Sequence, residues 1–136
     1  MVILAVDLGL ARTGLAICDK MEMLASPLAQ ISEKDMNVLS DKIANIVIAR
    51  EVELIVVGLP KNMDGTEGAS AENAKAFATL LKEKTGLIVK MQDERGTTVT
   101  AHKYLNATNT RGKKRKNVVD SVAATIILQN FLDSRK

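Results

Sequence analysis

Val2-Ile3-Leu4-Ala5-Val6-Asp7-Leu8-Gly9-Leu10-Ala11-Arg12-Thr13-Gly14-Leu15-Ala16-Ile17-Cys18 is the stretch on which the fold turns. Val2 to Val6 is a short apolar run rich in β-formers, and it ends on an acid, Asp7. Leu8 to Gly14 reads as a tight turn holding two glycines, and Leu15 to Cys18 as a returning strand, so the segment predicts a β-hairpin. A carboxylate closing a buried strand loses hydration, and a cation, turn amides or an arginine must compensate it. Asp7 is therefore either a turn acceptor or a ligand, and the segment alone supports both.

Outward from the hairpin, Met21 to Ile31 reads as a third strand, with Pro27 marking an edge or bend. Ser32 to Glu51 reads as a helix capped by Ser32 or Asp35, because Leu39, Ile43, Ile46, Val47 and Arg50 fall near helical spacing. Leu54 to Val57 is a continuous apolar run, the pattern of a strand covered on both faces. Leu59 to Ser70 is a loop, and Ala71 to Thr85 a second helix closed by Gly86. Leu87 to Met91 is a fifth strand leading into Asp93-Glu94-Arg95, and Thr97 to Ala107 a short helix. Residues 108–116 read as a flexible basic loop and Asn117 to Leu132 as the last helix. Strands joined by short turns pair antiparallel, and strands separated by helices pair parallel. The expected fold is α/β: a mixed five-stranded sheet, its first three strands antiparallel, with helices on both faces.

The chain has 136 residues, a length that fits one domain spanning 1–136. Aromatics are only 2%, with no Trp, so Val, Ile, Leu, Ala and Met must build the core. The single cysteine, Cys18, rules out an internal disulfide and reads as a small buried thiol. That usage suits a reducing cytoplasm. His102 reads as a surface residue. No run approaches the ~18 apolar residues of a membrane span, and Asp7 interrupts the apolar N-terminus, which argues against a signal peptide. The net charge is only +3. Its clustering in Arg111, Lys113, Lys114, Arg115 and Lys116 says more than the total, and points to a nucleic-acid backbone.

Three acids stand at element boundaries: Asp7, Glu94 and Asp120. On a helical wheel Val119, Ala123, Ile126, Ile127 and Phe131 form one stripe, with Asp120 at its margin. Asn117 is a candidate N-cap, which would make Asp120 a first-turn carboxylate favoured by the helix dipole. Asp93 and Glu94 point to opposite faces of a strand, so only one reaches a given cleft. Carboxylates converging beside a cationic segment are the ingredients of Mg²⁺- or Mn²⁺-assisted phosphodiester hydrolysis. Lys61 and Asn62 crowd the loop after the fourth strand, where such sheets commonly bind ligands. Arg12 sits beside Asp7, to contact phosphate or to pair with an acid.

The wording of four motifs is more specific. These are Asp7-Leu8-Gly9 with Arg12, Gly14 and Ala16; Val56 to Thr66 with Gly68, Ala71 and Phe77; Asp93-Glu94-Arg95 with Thr97, Thr98 and Ala101; and Lys113 to Lys116 leading to Asp120, Ala123, Ala124, Ile127 and Leu128. Together they resemble, essentially end to end, the YqgF family of bacterial proteins, described as Holliday junction resolvases or pre-16S ribosomal RNA nucleases. The resemblance implies a ribonuclease H-like fold and metal-dependent cleavage leaving a 5′-phosphate and a 3′-hydroxyl. It places the acidic positions on Asp7, Glu94 and Asp120, with Asp93 a rival for the middle one. Arg12, Lys61, Asn62, Arg95, Lys113, Lys114, Arg115 and Lys116 are the expected substrate contacts. Precursor ribosomal RNA is the leading substrate and branched DNA the alternative. In related resolvases the middle acid closes the fourth strand, where this chain has Gly58-Leu59-Pro60. Gly96 also replaces a larger residue. A non-catalytic RNA-binding module keeps the basic surface without turnover. An actin-like ATPase would share the Asp-x-Gly turn but needs two such domains.

Overall fold

The computed structural model describes residues 1–60, 67–93 and 112–135, and for 112–121 the backbone alone. Five strands form one sheet: β1 Ile3–Asp7, β2 Arg12–Cys18, β3 Ala25–Ser32, β4 Leu54–Leu59 and β5 Val89–Asp93. Three described helices cover it: α1 Met36–Ala49, α2 Ala69–Thr85 and α3 Gly112–Ser134. The strand order is β3-β2-β1-β4-β5. β1–β2 and β2–β3 are antiparallel, whereas β1–β4 and β4–β5 are parallel. This is the mixed topology expected from the connection lengths.

β1 is the central strand and is covered on both faces. Its even residues, Leu4 and Val6, join Leu15, Ile55 and Val57 in a core with Leu39 and Ile43 of α1 and Phe77 and Leu81 of α2. Its odd residues, Ile3 and Ala5, join Ala16, Cys18, Leu54 and Val56 under Ala124, Ile127, Leu128 and Phe131 of α3. The alternation of side chains along a strand thus splits the apolar residues into two layers. Gln129 holds α3 against the sheet edge: its Oε1 accepts from Ala25 N at 3.0 Å. Beyond it, the Arg135 Nε lies 3.0 Å from Glu22, which also takes the N-terminal ammonium at 3.0 Å.

Several boundaries differ from the expectation. β2 begins at Arg12, so Arg12 to Gly14 belong to a strand rather than to the turn. Their backbone groups pair on both sides, Gly14 with Asp7 and Arg12 with Ser32, which outweighs the low strand propensity of glycine. β3 begins at Ala25, since Asp19 to Leu24 form a turn in which Glu22 adopts φ 56 and donates to Asp19 O at 3.1 Å. β3 is an edge strand, and its register slips beside Pro27, as the proline suggests. Ser32 ends that strand and does not cap α1. The cap is Asp35, whose Oδ1 accepts from Asn37 N at 2.9 Å and Val38 N at 3.2 Å. Gly86 ends α2 in the left-handed region at φ 72, as expected.

The largest correction concerns the basic run. α3 starts at Gly112, so Lys113 to Lys116 are helical rather than a loop, and Asn117 is no cap. Lysine and arginine are good helix formers and no proline intervenes. Asp120 therefore stands about two turns inside the helix rather than at its opening. The helix expected over Thr97 to Ala107 lies outside the described residues.

Removing the α1 cap isolates one local term. Asp35→Ala is expected to cost about 1 kcal/mol, seen as a fall of about 3–5 °C in melting temperature. An unchanged melting curve would show that the two cap bonds contribute nothing net.

Candidate active site on the α3 side of the sheet

Asp7 is the last residue of β1 and is half-buried. Its partner in β2 is Gly14, and Gly14 pairs with Gln30 of β3. On the other side Val6 pairs with Val57, so Asp7 comes level with Gly58, which pairs with Gln92 of β5. Residues directly opposed in a sheet share a face. A row therefore crosses all five strands: Gln30, Gly14, Asp7, Gly58, Gln92. It lies on the α3 side, because Ile3 and Ala5 on the same face of β1 pack under α3. The two strands flanking Asp7 put glycine beside it, so neither neighbour in the row presents a side chain toward the carboxylate.

The turn that presents Asp7 has its own constraint. A Cβ placed on Gly9 would lie 2.1 Å from the Arg12 carbonyl oxygen. No side chain fits there, and the obstacle is backbone at the start of β2. Arg12 is half-buried and on the same face as Gly14 two residues on. It borders an open groove with Ala11, Ser32, Glu33 and Lys34. Hydrogen bonds from Lys42 and from the Asp35 backbone hold the Glu33 carboxyl below its ordinary value.

A cavity of about 300 Å³ lies on the other side of the sheet, between Leu8 and Leu10 of the turn, Met36 and Leu39 of α1, and Ser70 and Asn73 of α2. Its walls belong to the α1–α2 layer, so it is not the space in front of Asp7. Asp93 also belongs to that opposite side. It pairs with Leu59, and Met91 and Val89 before it pack on the α1–α2 core.

Among the described residues, no three His, Cys, Asp or Glu side chains gather as a metal site. Glu94, Arg95, Lys61 and Asn62 lie outside the described residues, and Lys113, Lys114, Arg115, Lys116 and Asp120 are described by backbone alone. Cys18 is 5% exposed, its Sγ accepts from Ile3 N at 3.3 Å, and burial pushes the thiol up. It is a structural thiol, as its apolar setting suggested. His102 lies outside the described residues.

The model of the RuvX family, described as Holliday junction resolvase, matches residues 1–134. The chain belongs to the RuvX family. A relative from Clostridium novyi (strain NT) is 40% identical over 132 residues, 97% of this chain and 98% of its own. Another from Bacillus thuringiensis (strain Al Hakam) is 43% identical over 135 residues, 98% of each chain. Both carry the name "Putative pre-16S rRNA nuclease". Two solved structures share the fold. Thermus thermophilus RuvC in complex with a Holliday junction substrate aligns at TM-score 0.63 and 15% identity, over 99% of this chain and 95% of that one. Fowlpox virus resolvase with junction DNA aligns at TM-score 0.62 and 12% identity, over 99% of each. The fold is thus ribonuclease H-like, and the resemblance read from the four motifs holds for a RuvX-family chain.

The sequence marks Asp7 as an acid at the end of a strand but not the row around it. Gly14 and Gly58 were motif letters with no assigned role, and Gln30 carried no signal at all. Its place opposite Gly14 depends on the register slip beside Pro27, and the proline marks an irregularity without fixing the pairing that follows it.

The Gly9 constraint is open to test. Gly9→Ala should destabilise by about 1–3 kcal/mol, the usual cost of forcing an atom into filled space. Wild-type stability in that variant, measured by thermal melting, would show that the turn can open without consequence.

Proposed function

We propose that this chain is a divalent-metal-dependent nuclease of one domain, hydrolysing phosphodiester bonds in precursor 16S ribosomal RNA, with Asp7, Glu94 and Asp120 as its acidic set. The observation that carries this is the row around Asp7: a half-buried carboxylate at the end of the central strand, between two glycines, on the side covered by α3. A carboxylate in such a cradle offers hard oxygen to Mg²⁺ or Mn²⁺ and leaves room for the remaining ligands.

Two lengths support Asp120 as a partner. The anchor between α3 and the sheet is Gln129 on Ala25, which pairs with Cys18. From Gln129 back to Asp120 the helix rises about 13–14 Å. From Cys18 back to Gly14, the partner of Asp7, the strand covers about 13–14 Å. The helical period agrees. Ala123, Ala124, Ile127, Leu128, Phe131 and Leu132 are the buried residues of α3. That stripe, carried back by 3.6 residues per turn, passes through position 120 near its centre rather than its margin. Of the two rivals for the middle acid, Asp93 belongs to the α1–α2 side, and that favours Glu94.

A bound cation supplies Lewis-acid polarisation of the phosphate and a lowered pKa for a coordinated water. The chain's own residues bind and orient. Asp7, Glu94 and Asp120 furnish negative oxygen. Lys113, Lys114, Arg115 and Lys116 stand at the start of α3, where the helix dipole is positive and cations are disfavoured without an anion. A phosphate backbone there relieves both charges. Arg12, Lys61, Asn62 and Arg95 are the further backbone and base contacts. The relatives at 40–43% identity favour ribosomal RNA as substrate, while the family description favours branched DNA.

The deciding experiment is cleavage of precursor ribosomal RNA and of four-way DNA junctions by the purified chain, with Mg²⁺, Mn²⁺ or chelator. We expect metal-dependent cleavage of the RNA, reduced to background in Asp7→Asn and Asp120→Asn with binding retained. Full activity in either variant, or in chelator, removes the mechanism. Cleavage of junctions alone replaces the substrate. Neutralising Lys113 to Lys116 together should weaken binding and flatten the slope of log K against log salt by about 0.7–0.9 for each residue that touches a phosphate. An unaltered slope removes the basic run from the interface.

A further inference from the structure

Gln30 stands at the β3 end of the row that contains Asp7, with only Gly14 between them. Its Oε1 is buried, and among the described residues no hydrogen-bond donor meets it. A buried amide oxygen without a partner costs on the order of 1–3 kcal/mol, so such an atom beside an acidic site calls for a ligand. Two strand spacings separate the Gln30 and Asp7 backbones, about 10 Å. Gly14, the residue between them on this face, has no side chain of its own. An acceptor there needs a donor, and Mg²⁺ keeps several waters, each with O–H to donate, when protein oxygens bind it.

We propose that Gln30 is a positioning residue for the divalent cation at Asp7: its Oε1 accepts a hydrogen bond from the cation's hydration shell and fixes that water. The inference rests on the nuclease reading of Asp7, and it adds a residue outside the carboxylate set. Residues in this outer position typically change metal affinity by about 10–100-fold when removed. A carboxylate at the same place keeps the acceptor. An aliphatic group of similar length loses it.

The test is Mn²⁺ binding to the full chain, measured by calorimetry and by the paramagnetic signal of the free ion, with no nucleic acid present. Gln30→Leu should raise the Mn²⁺ dissociation constant about tenfold or more, while Gln30→Glu should keep or tighten it. Melting curves accompany both variants, so that a folding defect in the leucine variant is seen and the glutamate variant still decides. Wild-type affinity in Gln30→Leu overturns the proposal, and so does a loss in Gln30→Glu as large as that in the leucine variant. Absence of any Mn²⁺ binding by the unaltered chain, or binding unchanged in Asp7→Asn, instead overturns the metal-dependent reading of Asp7, and this proposal with it.

Discussion

Everything in this molecule depends on β1 being buried from both sides. With β2 and β4 hydrogen-bonded along its edges and helices over each face, its side chains must divide. Even positions feed the α1–α2 core and odd positions the α3 core. Asp7 is the last odd position, so the same alternation that packs Ile3 and Ala5 under α3 delivers a carboxylate to that side. A register slip of one residue would send Asp7 into the α1–α2 layer and Val6 under α3. Burial of Leu4 and Val6 against Phe77 and Ile43 prevents it.

The second requirement is space, and glycine provides it. Large residues at positions 14 and 58 would close the row around Asp7, yet the strands still need both positions for hydrogen bonding. Glycine weakens a strand by conformational entropy and by lost packing. Here that cost is offset because Gly14 is paired on both sides, to Asp7 and to Gln30. Gly9 meets a different demand, a turn so tight that the Arg12 carbonyl occupies the place of a Cβ. α3 then spans the molecule, from the basic run at Gly112 to the far end, where Arg135 stacks on Phe131 and meets Glu22. Gln129 sets how far along the sheet the helix sits.

Much of this was legible in the residues. The opening hairpin, the buried fourth strand, the Asp35 cap, the Gly86 stop and the Pro27 irregularity each follow from a local rule and each is present. The misreadings share a cause. The glycines at 9 and 14 read as the two ends of a tight turn, but long-range pairing makes Arg12 to Gly14 strand. Lys113 to Lys116 were assigned to a loop because they are charged, although charge does not oppose a helix in water. The stripe on α3 was centred too near Ile126, since periodicity fixes spacing and leaves the phase to whatever the helix packs against.

Sequence by itself determined the family, the order of the described elements, the mixed sheet and Asp7 as its end-of-strand acid. These rest on local chemistry: apolar period, turn residues and motif wording. Only the tertiary structure decided which residues share a row with Asp7, Gln30 among them, and which side of the sheet Asp93 takes. Those are properties of register and facing, set by hydrogen bonds between segments far apart in the chain, and no local pattern carries them.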